Sequence, residues 1–132
     1  NQLFFNNSPN ILTMNEITII LNEFLIQTKS SSALISGAKG KLITSLHLDY
    51  SDSVAAMSDA ILSMSDKFLT DLAKGALKQL YLKTTDGGVV VMNKINNSHS
   101  VIVFSNDGSN LGLFLRNIDE LATKLSSISL LK

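Results

Sequence analysis

Residues 52–85 read DSVAAMSDAILSMSDKFLTDLAKGALKQLYLKTT, with neither glycine nor proline before Gly75. At about 100° per residue, Val54, Met57, Ile61, Met64, Phe68 and Leu72 form one apolar stripe, and Ala55, Leu62, Leu69 and Ala73 form a second beside it. Together they cover roughly half the circumference, more than the ~100° that a helix resting on one sheet needs. Only Ser58 and Ser65, both small, interrupt this face, while Asp59, Ser63, Asp66, Lys67, Thr70, Asp71 and Lys74 occupy the other side. The spacing predicts a helix over 52–74 with two apolar neighbours, one of them expected to be another chain. Gly75 joins it to a strand predicted over 76–85.

A chain of 132 residues, 45% of them hydrophobic, is one domain able to bury an ordinary aliphatic core. Eleven basic residues balance eleven acidic ones without a basic cluster, so nucleic acid is excluded as a partner class. The absence of cysteine removes disulfides and thiolate metal sites. No run reaches the ~18 apolar residues of a membrane span, since Asn22 and Glu23 interrupt the best candidate, and no signal-peptide pattern is present. No direct membrane insertion and a cytoplasmic location are the default expectations.

Outward from the central stretch, residues 1–12 read as an Asn-rich N-terminal arm that holds the one proline, Pro9, and the pair Phe4-Phe5, which is either a docking pair for a groove or partner or a tolerated exposed one; the domain is assigned to 13–132. Thr13 with Glu16 forms a capping box and Leu12 with Ile17 a hydrophobic staple, predicting a first helix from Thr13 to about Lys29. Residues 33–36 and 41–46 read as a hairpin about Gly37-Ala38-Lys39-Gly40. Gly40-Lys41 is not a phosphate loop, because Ile35 and Leu42 stand where glycine and Ser or Thr are required. Ser51 or Asp52 is the expected N-cap of the central helix.

Asp86-Gly87-Gly88 turns the chain into a strand over 89–95, and 96–99 turn it again into 101–104. A last helix follows Asn106-Asp107-Gly108-Ser109-Asn110, burying Leu111, Leu115, Ile118, Leu121, Ala122 and Leu125. The order is αββαβββα, and the fold class is α+β: a single five-stranded, mainly antiparallel sheet with helices on both faces.

Over residues 15–127 the chain resembles the roadblock family of dynein-light-chain-like domains. The resemblance rests on the element order, the 32–46 hairpin with glycine in its turn, the long alanine- and leucine-bearing helix, Asp86-Gly87-Gly88-Val89-Val90-Val91, and Asn110-Leu111-Gly112-Leu113 entering the last helix. Longin and profilin-like folds use a related sheet, but the amphipathic helix before the first strand favours roadblock. The resemblance implies a dimer, with itself or with a paralogous roadblock-like subunit, in which central helices and third strands meet. It further implies a non-enzymatic scaffold or regulator of a Ras-like small GTPase; the alternative is a structural light-chain-like adaptor of a transport or motility assembly.

Particular residues follow from these expectations. The dimer seam is assigned to Ala55, Leu62, Leu69 and Ala73 flanking Ser58 and Ser65, small residues at seven-residue spacing that let a second helix come close, together with Leu80 and Leu82 on an open strand edge. Met57 and Met64 are read as core filling. The partner surface is assigned to Asp59, Ser63, Asp66, Lys67 and Thr70. No catalytic, cofactor or metal residues are assigned: His47 and His99 lack ligand spacing and no serine stands in a Gly-x-Ser-x-Gly elbow. Asp49, Asp52 and Asp59 near the helix start are explained by capping and the helix dipole.

Overall fold

The computed structural model describes the backbone of residues 2–132 and the side chains of residues 12–128 and 130–132. Its elements are α1 (Gln2–Thr28), β1 (Ser32–Ser36), β2 (Leu42–Leu46), α2 (Ser51–Asp71), β3 (Gln79–Lys83), β4 (Val89–Lys94), β5 (Ser100–Ser105) and α3 (Leu111–Ser126), with 3-10 turns at Ala38–Gly40 and Ser129–Leu131. The five strands form one sheet in the order β2-β1-β5-β4-β3. Every neighbouring pair is antiparallel.

The strand alternation explains the layers. Leu34 pairs with Ile102, which also pairs with Met92, and all three point to the face covered by α2. Ala33, Val103 and Val91 pair in the next row and point the other way, into the core shared with α1 and α3. Strands β1, β4 and β5 are therefore buried on both faces, which is why they read as unbroken apolar runs rather than alternating ones. Helices lie on both faces, α2 on one and α1 with α3 on the other.

Three local expectations are corrected. The helix expected to start at Thr13 begins at Gln2, so it takes in most of the segment read as an arm, and Leu12 and Thr13 lie inside it. A capping box marks where a helix can begin, and it becomes a terminus only where the chain before it leaves helical geometry. The reading of Phe4-Phe5 falls outside the described side chains.

At the start of α2 the N-cap is Tyr50 rather than Ser51 or Asp52. It sits at φ +55° and makes no side-chain cap bond. At its end, Ala73 N–H bonds to the Thr70 carbonyl and Lys74 N–H to that of Leu69, with Ala73 at φ +55°. This is a Schellman closure with alanine in the left-handed position that glycine normally takes. Ala73 and Lys74 thus lie beyond the helix, and β3 starts at Gln79 instead of residue 76.

Candidate interaction surface

The two stripes of α2 are exchanged relative to the expectation. Ala55, Ser58 and Leu62 are 0–4% exposed, and Ala55 and Leu62 belong to the cluster formed with Leu34, Leu77, Met92 and Ile102 of the same chain. Leu69 packs at the rim of that cluster and Ser65 is half-buried. A second helix cannot reach the three buried residues; they seat α2 on its own sheet. Small side chains serve this because the helix comes very close: a Cβ on Gly40, in the β1–β2 turn, would stand 3.0 Å from the Ala56 Cα.

The stripe left outside is the bulky one. Met57, Ile61, Met64, Phe68 and Leu72 are all exposed, Met64 by 70% and Phe68 by 65%. Met57 and Met64 therefore do not fill the core. Monomeric proteins rarely leave a contiguous apolar ridge of this length uncovered. On the wheel, Asp52, Asp59 and Asp66 fall on the opposite side, and Asp71, which falls beside Met64, is paired with Lys67, so the ridge carries no row of like charge.

β3 is an edge strand, paired with β4 alone. Leu80 is half-buried against the α2 cluster, whereas Leu82, two residues on and so on the same face, is exposed. The sheet has a second edge at β2.

Asp59, Ser63, Asp66, Lys67 and Thr70 line one polar groove along α2. Its opposite wall comes from distant parts of the chain: Ser36 and Lys39 at the end of β1 and its turn, and Lys94, Ser98 and Ser100 around the β4–β5 turn. No motif in the sequence marks these residues, and Lys39 stands there only within a glycine-flanked turn. Asp66 is also a structural tie, accepting the Leu77 N–H at 2.7 Å and lying 3.9 Å from Lys94 Nζ. Lys67 Nζ meets Asp71 Oδ2 at 2.7 Å, an exposed i, i+4 pair worth about 0.3–0.5 kcal/mol. The Thr70 hydroxyl donates to the Lys67 carbonyl.

The histidines share no site. His47 follows Leu46, which pairs with Ala33, whereas His99 precedes Ser100, which pairs with Ser36, so they leave the sheet at opposite ends of β1. His99 Nδ1 lies 3.1 Å from Asn96 Oδ1 within the β4–β5 turn, and burial holds its pKa below the usual histidine range. No group of three His, Cys, Asp or Glu placed to hold a metal ion occurs among the described residues. Arg116 is exposed on α3, across the sheet from the groove. Among the described residues no helix is long and apolar enough to cross a membrane.

A five-stranded antiparallel sheet with one helix on one face and two on the other, an open edge at β3 and an apolar ridge on the single helix define an α+β interaction domain. The Roadblock/LC7 domain model matches residues 19–104, and the chain belongs to this family. Among solved structures it is similar to MglB of Myxococcus xanthus, with a TM-score of 0.79 and 13% identity over 86% of this chain and 94% of that one. It is similar to the gliding protein MglB of Thermus thermophilus, with a TM-score of 0.78 and 12% identity over 89% and 90%. A Roadblock/LC7 domain from Streptomyces avermitilis gives a TM-score of 0.66 and 14% identity over 73% and 82%. At these identities the likeness is one of fold. No curated protein matches the chain in sequence.

Proposed function

We propose that the chain is a non-enzymatic, dimeric platform that binds a Ras-like small GTPase. The observation that carries the dimer is the exposed ridge of Met57, Ile61, Met64, Phe68 and Leu72 on the same side of the sheet as the open edge at β3. An antiparallel two-fold pairing of α2 centred between Ile61 and Met64 sets Met57 against the partner's Phe68 and Ile61 against the partner's Met64. Methionine sulfur on an aromatic ring is a favourable contact, and the ridge brings no like charges together. Strand pairing at β3 through Leu80 and Leu82 completes the interface, and a contact of about 1,200–2,000 Å² suffices for a stable dimer. The same geometry admits a paralogous roadblock-like subunit.

Family membership supports a small GTPase as partner, and the groove of Asp59, Ser63, Asp66, Lys67 and Thr70 is its proposed seat. Residues 13–132 form the functional domain. The single arginine, Arg116, lies on the far side of the sheet from this groove, so any stimulation of GTP hydrolysis acts through the partner's own residues. A second reading, an adaptor subunit of a motility assembly, is favoured by the likeness to a protein named for gliding. Mixing the purified protein with small GTPases of the same organism in GDP and GTP-analogue states separates the two. Nucleotide-dependent binding is expected, and nucleotide-blind binding to a larger assembly would replace the first reading with the second.

A further inference from the structure

The outer face of α1 and α3 carries a second apolar feature, on the side of the sheet away from α2. Leu12, Ile19 and Ile26 recur every seven residues along α1 and are 67%, 57% and 69% exposed. The ridge spans about 21 Å, four turns of helix. Beside it, towards α3, run Glu16 and Glu23, also seven apart. Beyond them lie two hollows that share Gln27 and Asn117, one lined by Ile20, Phe24 and Leu121 and the other by Phe114; Phe24, Phe114 and Leu121 belong to the core, so the apolar surface open to a partner is chiefly the Leu12–Ile19–Ile26 ridge. Glu120 stands on their α3 side, and the other charged groups along them are Lys124, Lys29 and Asp107. Arg116 stands exposed one turn before Glu120, so four carboxylates face three cations, with Glu16 and Glu23 on α1 away from those on α3. Glu16, Glu23 and Glu120 take part in none of the ion pairs among the described residues.

We infer that this face docks an amphipathic helix of a partner protein whose apolar stripe is flanked by lysine or arginine. The ridge supplies apolar anchors at helical spacing, and the unpaired carboxylate row supplies the orientation. Charge selects this occupant over two others. An antiparallel second copy would bring the Glu16–Glu23 row against its own image, which is repulsive, and an anionic lipid surface would be repelled by the same row. The inference is independent of the proposed α2 dimer, since the two surfaces lie on opposite faces of the sheet.

The test uses the full chain labelled with 15N and two synthetic helices of about 18 residues that share a leucine stripe, one flanked by lysines and the other by glutamates. The lysine peptide is expected to bind saturably, shifting amides within residues 16–27 and 113–124. Its affinity should fall by about tenfold or more in a Glu16→Lys/Glu23→Lys variant and on raising salt from about 50 to 500 mM. An Ile19→Ser/Ile26→Ser variant should lose binding with an unchanged circular dichroism spectrum, because both side chains are exposed. The inference is overturned if the lysine peptide does not bind, if the glutamate peptide binds equally, or if the shifts fall on the α2 ridge instead. It is equally overturned if the charge-reversed variant binds as before, if the protein pairs with itself through this face, or if anionic vesicles bind it while the lysine peptide does not.

Discussion

The backbone N–H of Leu77 donates to Asp66 Oδ1 at 2.7 Å, joining the chain just before β3 to the last turns of α2 eleven residues earlier. Leu77 is buried, while the bond itself is part-buried and the Asp66 side chain is 34% exposed, so water replaces a lost acceptor only in part. Asp66→Ala should cost about 1–3 kcal/mol, and Asp66→Asn, which keeps an acceptor oxygen, clearly less. Urea denaturation at neutral pH checks both, and equal losses for the two variants would show that the bond does not carry the effect. Because Asp66 also lines the groove, a binding defect at this position is interpretable only alongside that stability measurement. Ser63→Ala, exposed and outside this tie, is the cleaner probe of the groove.

Gly40 holds the β1–β2 turn against α2 at φ +74°, where a Cβ would meet the Ala56 Cα at 3.0 Å and the Asp59 Cβ at 3.1 Å. Neither neighbour can swing aside as the far end of a long side chain would. Gly40→Ala should therefore destabilise the domain by at least about 2 kcal/mol, from the left-handed backbone and the overpacking together. A thermal melt within a degree or two of the wild type would mean that the turn and α2 separate at little cost.

Ala73 occupies the left-handed position of a helix C-terminus at φ +55° and is exposed. Glycine adopts that conformation without the Cβ penalty, so Ala73→Gly should stabilise the protein by about 1 kcal/mol in spite of the greater freedom it gives the unfolded chain. Chemical denaturation at constant slope provides the measurement.

For the proposed dimer, the informative substitutions lie on the exposed ridge and not in the buried stripe. Met64→Glu with Phe68→Glu should give a folded monomer by light scattering and circular dichroism, since both positions face solvent in the single chain. Leu62→Glu should instead unfold or aggregate the protein, because Leu62 is 4% exposed and a lone buried carboxylate costs several kcal/mol. A wild-type protein that is monomeric at micromolar concentration, or a double variant that dimerises unchanged, would refute the interface.

Deletion of residues 1–10 should be nearly neutral. Although α1 begins at Gln2, the Thr13–Glu16 capping box and the Leu12–Ile17 staple offer the shortened chain a ready start. A fall in melting temperature of more than a few degrees would show that these residues belong to the folded unit, and that 13–132 is too narrow a definition of the domain.

The chain order of the elements, the antiparallel sheet and the open edge at β3 were legible in residues 13–132 before any coordinates. Each rests on local signals: periods of 3.6 and 2, glycine turns, and hairpins too short to cross over. The breadth of the apolar surface on α2 was legible for the same reason, because a wheel gives the angle between two stripes. It does not give the rotation of the helix about its own axis, and this only the tertiary structure decided. The turn at Gly40 and the face built by Leu34, Met92 and Ile102 bring the sheet so near that Ala55, Ser58 and Leu62 fit beneath the helix, while Met64 and Phe68 are left outside. The far wall of the groove was equally invisible, since Lys39, Lys94 and Ser98 are separated from Asp66 by 27, 28 and 32 residues of chain. It takes the β2-β1-β5-β4-β3 strand order to set those two turns side by side at one end of the sheet.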